Sequence, residues 1–280
     1  MNLNKQAALV TGASSGFGLL AAIELAKAGV AVVAAVKEQE EIDFVHIEAK
    51  KHNVSDNIDA VKLDVTIPEE VESVKEYVIA KYQSLDFLIN NAGISIGGAA
   101  EDISMEAYRL QFETNVFGAI AVTKAFIPTM RNNRKGKIIN MGSFSGSFAF
   151  PGLTPYAASK YALRGFSESL RLELLPFGVY VSLIEPGSYK TGIWDKGLKE
   201  MNLDVHEDYK KMMQMAHEGS TLAKNNGGDP IEVAALIKRI CFENKPKFYY
   251  PIGRGIKTML FLKNVLPWSL LESVITKKSS

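Results

Sequence analysis

The feature that most constrains this chain is a repeated change of hydrophobic period. Short apolar runs recur as "AALV" (7–10), "AVVAAV" (31–36), "AVKLDV" (60–65), "LDFLIN" (85–90), "KIINM" (137–141), "VYVSLI" (179–184) and "FYY" (248–250). Each has strand length and strand composition. Between them lie longer stretches with helical spacing, among them 19–28, 71–82, 108–130 and 157–175. A strand buried on both faces shows no polar side, so near-continuous apolar strands alternating with helices predict an α/β fold. The expected architecture is one doubly wound parallel sheet of about seven strands with helices on both faces. The chain has 280 residues, 47% of them hydrophobic, which is ample for one such core.

Charge and cysteine content exclude several classes of function. The formal net charge is +1 and the basic residues are scattered, so the stripe that nucleic-acid binding requires is missing and no nucleic-acid partner is expected. Cys241 is the single cysteine, which precludes an internal disulfide and fits a reducing compartment. Four scattered histidines make no ligand pattern with it, so no metal is expected. The first ten residues contain no apolar segment of signal-peptide length, and a cytoplasmic location is expected.

The first strand runs directly into "TGASSGFG" (11–18) and then into the helical run "LLAAIELAKAG". A strand, a tight glycine turn and a helix N-terminus make an anion site, because unpaired N–H groups converge there and the helix dipole favours negative charge. Such a turn after the first strand of a Rossmann-type fold holds a dinucleotide pyrophosphate. A triphosphatase loop would need Lys-Ser/Thr after its last glycine, and Leu19 and Leu20 stand there instead. Residues 12–16 also match a hydrolase nucleophile elbow with Ser14 as nucleophile, but the position on the first strand is too early for that fold.

Downstream stand "NNAG" (90–93) at the end of the fourth strand, Ser143 after the fifth, and Tyr156 and Lys160 four apart in "YAASK". In this order and spacing they resemble the short-chain dehydrogenase/reductase family over roughly residues 5–250. The resemblance implies an oxidoreductase interconverting a carbonyl and an alcohol. It implies a cofactor site made of Thr11, Gly12, Ser14, Ser15, Gly16, Phe17 and Gly18 in the turn, then Asp64 and Val65 in "LDVT", and Asn91, Ala92 and Gly93. Tyr156, Lys160, Pro186, Gly187 and Thr191 complete that set, and Asn115, Ser143, Tyr156 and Lys160 are the implied catalytic residues.

Positions i and i+4 share a helix face, so Tyr156 and Lys160 are expected to point into one cleft. A tyrosine with a pKa of about 10 exchanges protons poorly near neutrality, and a neighbouring ammonium, assisted by the positive nicotinamide of the oxidised cofactor, is expected to favour its phenolate. In the implied reaction a carbonyl accepts hydrogen bonds from Ser143 and Tyr156, and Tyr156 delivers the proton. Lys160 also holds the nicotinamide ribose, and Asn115 holds a water that links Lys160 to solvent.

At the end of the second strand, where NAD-using relatives carry an acid, Val36 is followed by Lys37. A cation there suits a ribose 2′-phosphate, so NADP(H) is expected in preference to NAD(H). Ser143, Ile94, Phe150, Tyr189 and Trp194 are expected to form an apolar, aromatic substrate wall suited to a lipophilic small molecule, with packing of Phe148 and Phe150 in the core or at a subunit contact as the equal alternative. The catalytic domain is placed at 1–254, with a Met-rich insertion at about 188–228 that either carries specificity or packs as an ordinary helix. An apolar extension follows at 255–280, broken by Lys263, Pro267 and Glu272 and so unable to span a bilayer. It is expected to bury Trp268 by packing, with a membrane surface, the pocket mouth or a second subunit as the other places to lie. A homodimer or homotetramer is expected from the resemblance. A non-catalytic dinucleotide-binding sensor or scaffold is the alternative function, disfavoured by the complete Asn115, Ser143, Tyr156 and Lys160 set.

Overall fold

The structure, a computed structural model, describes residues 5–193, 197, 201 and 204–276. Trp194 lies outside the described residues. Strands β1 (Ala7–Thr11), β2 (Ala31–Val36), β3 (Ile58–Lys62), β4 (Phe87–Asn90), β5 (Gly136–Met141), β6 (Val179–Pro186) and β7 (Tyr249–Ile252) form one sheet. Its order is β3-β2-β1-β4-β5-β6-β7, and every pairing is parallel. The doubly wound α/β architecture expected from the alternating pattern is thus present.

Helices α1 (Gly16–Lys27), α2 (Glu41–Lys51), α3 (Pro68–Tyr82), α4 (Met105–Phe112), α5 (Ala119–Asn132) and α6 (Thr154–Leu174) alternate with the strands. After β6 come α7 (Glu207–Asn226) and α8 (Ile231–Phe242), and after β7 come α9 (Ile256–Val265) and α10 (Trp268–Thr276). Successive strand residues point to opposite faces, so β1 sends Ala8 and Val10 into the core under α1 and α8, and Ala7 and Leu9 into the core under α3, α5 and α6. Both faces are therefore covered, which is why the inner strands β1 and β2 are almost wholly apolar.

Three boundaries differ from the sequence expectation. β3 ends at Lys62, so Asp64 and Val65 lie in the turn after the strand. The stretch 108–130 is not one helix: Glu113–Gly118 forms a π-helical segment between α4 and α5. Hydrophobic periodicity does not register one widened turn, and such turns concentrate at functional sites. Trp268 is 63% exposed instead of packed, because the apolar residues of α9 and α10 outnumber the positions that face the body of the protein.

Candidate active site

The strand order reverses between β1 and β4, and the crevice outside their carboxyl ends is where such sheets take ligands. The glycine turn leaves β1 here. A Cβ on Gly12, whose φ is +63°, would come within 2.8 Å of Ala92 Cα, and one on Gly18 would come within 2.4 Å of the Gly12 carbonyl. Only glycine lets the turn, the start of α1 and the 91–93 loop approach this closely. Ser15 occupies the N-cap of α1 without a side-chain cap bond, and the first turn holds no acid. Its N–H groups and dipole are left to an anion.

The residues of this turn suit a dinucleotide, but not all of them face the crevice. Thr11 is buried, and its hydroxyl accepts from the backbone N–H of Asn91 and Ala92, both at 3.0 Å. Asn91 returns two 3.0 Å bonds from Nδ2 to the carbonyls of Thr11 and Gly12. These two residues fasten the two loops of the crevice together. Val65 is likewise buried, against the spot where Gly118 has no side chain. Asp64 accepts from the Thr66 N–H and hydroxyl and pairs with Lys37 at 3.1 Å. Burial pushes its carboxyl up, but these partners outweigh that and hold it below the usual aspartate value. On the far side of the turn, a Cβ on Gly16 would lie 3.5 Å from the Thr191 side chain, so the segment after Pro186 and Gly187 arches over the start of α1. Beside it an open depression of about 440 Å³ is lined by Lys190, Thr191, Gly192, Lys224 and Asn225.

Along the sheet edge, β5 delivers Ser143 and α6 delivers Tyr156 and Lys160. Ser143 Oγ lies close enough to the Tyr156 phenol to pull its pKa partly down, and it accepts from Ser145 N–H at 3.1 Å, capping the short turn Phe144–Gly146. Lys160 is 5% exposed; its Nζ sits 5.7 Å from the Tyr156 ring centre and donates to the Met141 carbonyl at 2.8 Å. The three side chains expected to converge are together. Their electrostatics differ from the expectation. Burial raises the Tyr156 pKa, the Ser143 hydroxyl opposing it only in part, and burial lowers Lys160 to about 8. In the protein alone desolvation outweighs the attraction between the two groups, so the phenol stays protonated.

Asn115, in the π-helical segment, donates to the Ile94 carbonyl at 3.0 Å and to Ser159 Oγ at 3.1 Å, and its Oδ1 accepts from Ile94 N–H at 2.9 Å. Both amide hydrogens are committed, so the Asn115 side chain serves as a brace. It joins the 94–96 loop to Ser159, which donates to the Tyr156 carbonyl at 2.8 Å. Gln111 completes the brace through the Ile94 carbonyl and Ile96 N–H, both at 2.8 Å. Nothing local in the sequence marks Gln111 or Ser159; the signal available was polar residues at buried positions of apolar helix faces.

Of the residues expected in the substrate wall, Phe150 packs at 5.2 Å centroid distance from Phe148, and Ile94 is held through its backbone by Asn115. Tyr189 does not belong to that wall. It is 1% exposed, its ring packs edge-on to Phe17 at 5.6 Å and lies over Gly228, and its hydroxyl donates to Glu232 at 3.2 Å. It anchors the end of the 188–228 insertion, where Tyr189 and Gly228 form a parallel bridge.

Comparison with known proteins agrees with this geometry. The profile of the short chain dehydrogenases matches residues 6–202. The chain is 47% identical, over 99% of both chains, to an uncharacterized oxidoreductase, YusZ, of Bacillus subtilis. It is 35% identical to the 3-ketodihydrosphingosine reductase of Bacteroides thetaiotaomicron, over 94% of this chain and 93% of that one. Among solved structures, a single-residue variant of the actinorhodin polyketide ketoreductase with NADPH superposes with a TM-score of 0.78 at 28% identity, covering 91% of this chain and 98% of that one. The chain belongs to the short-chain dehydrogenase/reductase family and is an oxidoreductase of the nicotinamide-dinucleotide type.

Proposed function

We propose that the protein is an NADP(H)-dependent carbonyl reductase or alcohol dehydrogenase acting on a lipophilic substrate, with Tyr156 as its acid/base. The observation that carries this reading is the convergence of Ser143, Tyr156 and the buried Lys160, the last two on one helix face, beside the open N-terminus of α1. The nicotinamide dinucleotide, when bound, supplies or accepts the hydride. Gly12, Ser14, Ser15, Gly16 and Phe17 lie where its phosphates would be held, with Thr191 closing over them and Lys160 beside the reacting end. Ser143 and Tyr156 hydrogen-bond the carbonyl oxygen, which orients the carbon and stabilises the charge that grows on oxygen. Tyr156 O–H gives its proton to that oxygen as the carbon is reduced, and the Lys160 ammonium stabilises the phenolate left behind. Oxidation of an alcohol runs through the same groups in reverse.

Lys37 supports NADP(H), since it stands exposed after β2 with no acid at Val36, and Glu41 turns its carboxylate to the Glu38 N–H instead. The partly exposed Phe150 near the Ser143 turn supports a lipophilic substrate, as do the polyketide and 3-ketodihydrosphingosine named for two similar proteins. Large apolar side chains left uncovered on Leu110, Phe117 and Leu172 of the α4–α6 side support assembly into a homodimer or homotetramer. No helix among the described residues is long and apolar enough to cross a membrane. The exposed Phe261, Val265 and Trp268 of α9 and α10 belong to a segment bearing Arg254, Lys257, Lys277 and Lys278 against one acid, Glu272. That combination fits an anionic membrane surface, reached from the cytoplasm. A screen of aliphatic and polycyclic ketones that follows NADPH absorbance tests the central reading. Turnover that Tyr156→Phe abolishes is expected; turnover unchanged by it refutes the mechanism.

A further inference from the structure

Glu185, the residue before Pro186, is the one charged residue of β6, and its side chain is fully buried. A carboxylate placed there is costly unless it is paired and hydrogen-bonded. It is. One oxygen faces the Arg164 guanidinium at 3.3 Å, and the other accepts from the hydroxyls of Ser147 and Tyr249, both at 2.6 Å. Arg164 also donates to the Ser147 hydroxyl and lies 4.9 Å over the Tyr249 ring. No member of this cluster touches the reacting groups. Its members do sit on the segments that carry them: Ser147 ends the turn that Ser143 begins, and Arg164 is one helical turn beyond Lys160.

The same turn is gripped from outside by the C-terminal helices. Lys263 of α9 donates to the Ser147 carbonyl and, at 2.7 Å, to the Tyr161 hydroxyl. Leu260, Leu271 and Ile275 pack on Phe144 and Phe148, and Ile256 fills the space beside Gly187. On the other side the turn is pressed on α6, where a Cβ on Gly146 would come within 2.9 Å of the Lys160 carbonyl. Two flanks of the Ser143 turn are thus held, one by a buried charge cluster and one by a lysine from the end of the chain.

We propose that the Glu185–Arg164–Ser147–Tyr249 cluster, closed from outside by Lys263, positions the Ser143 turn against α6, so that the C-terminal helices are a working part of the active site. Glu185, Arg164 and Lys263 are positioning residues, acting through Ser143 and Tyr156. The inference rests on the reading of those two as the reacting pair. Small displacements of a reacting pair lower turnover far more than they lower stability, because reaction geometry tolerates little error.

The test is steady-state kinetics with NADPH and a ketone turned over by the wild type, alongside NADPH affinity from fluorescence and thermal unfolding. Lys263→Met keeps the side-chain stem and its packing, and lowers kcat roughly tenfold with NADPH affinity unchanged. Lys263→Arg restores most of that loss, and Glu185→Gln lowers kcat at least as far as Lys263→Met. Should Glu185→Gln fail to fold, Lys263→Met on the half-buried outer side carries the test alone. A Lys263→Met protein with wild-type kcat, or one that only melts earlier, overturns the proposal. Ser143→Ala and Tyr156→Phe separate the two levels: if both are inactive while Lys263→Met is fully active, only this inference falls. If either keeps full turnover, the reading beneath it falls as well, and this inference with it.

Discussion

Replacing Lys160 by methionine should make the protein more stable while removing its activity. The ammonium is enclosed at 5% exposure and donates to the Met141 carbonyl, and burial lowers its pKa from an ordinary 10.5 to about 8. At about 1.4 kcal/mol per pH unit, that difference corresponds to a cost of about 3 kcal/mol for holding the charge at pH 7. Losing the bond to Met141 returns about 1–2 kcal/mol, leaving a net gain of about 1–2 kcal/mol for the apolar isostere. For a chain of this size the melting temperature rises by about 2–6 °C. The sign of the pH dependence follows from proton binding. Between about 8 and 10.5 the unfolded chain holds the Lys160 proton and the folded protein does not, so wild-type stability rises with pH in that window. The advantage of Lys160→Met therefore shrinks as pH increases, by about 1 kcal/mol at pH 9. Thermal unfolding of both proteins without nucleotide, at pH 7 and pH 9, measures this. A variant that melts below the wild type at pH 7, or whose advantage does not shrink at pH 9, refutes the desolvation argument.

Lys37→Ala should raise KM for NADPH about tenfold or more and leave KM for NADH nearly unchanged, since a charge-assisted bond to a 2′-phosphate is at stake; equal effects on both would argue against NADP(H) preference. Gly18→Ala forces a methyl to within 2.4 Å of the Gly12 carbonyl, and should destabilise by about 2–3 kcal/mol and abolish nucleotide binding, read by thermal shift with and without NADPH. Tyr189→Phe removes the hydroxyl that bonds Glu232 at 3.2 Å, costing about 1 kcal/mol by denaturation while substrate KM stays constant; a changed KM would return Tyr189 to the substrate wall. Deleting the segment from Trp268 onward should abolish co-sedimentation with anionic vesicles, and vesicle binding that survives the deletion would place the membrane contact elsewhere.

The sequence by itself determined the features whose cause is local. Strands follow from short continuous apolar runs such as "AVVAAV" and helices from the 3.6-residue period between them, so the alternating sheet could be read locally. The glycine turn follows from backbone sterics within eight residues, and the shared face of Tyr156 and Lys160 from helix geometry alone. Tertiary structure decided everything that depends on which distant group fills a space or meets a hydrogen bond. Tyr189 is a core residue because Phe17, Gly228 and Glu232 enclose it, and Asn115 is a brace because the 94–96 loop comes to it. Lys160 and Tyr156 share a face as the helix requires, yet their protonation is set by burial under β5 and the Ser143 turn, which no spacing of four records. Glu185 shows the limit most plainly: its partners come from α6, β7 and the turn after β5, and α9 closes the cluster from outside. Periodicity and local sterics act over a few residues, whereas desolvation and hydrogen-bond satisfaction are settled only when the folded chain brings remote segments into contact.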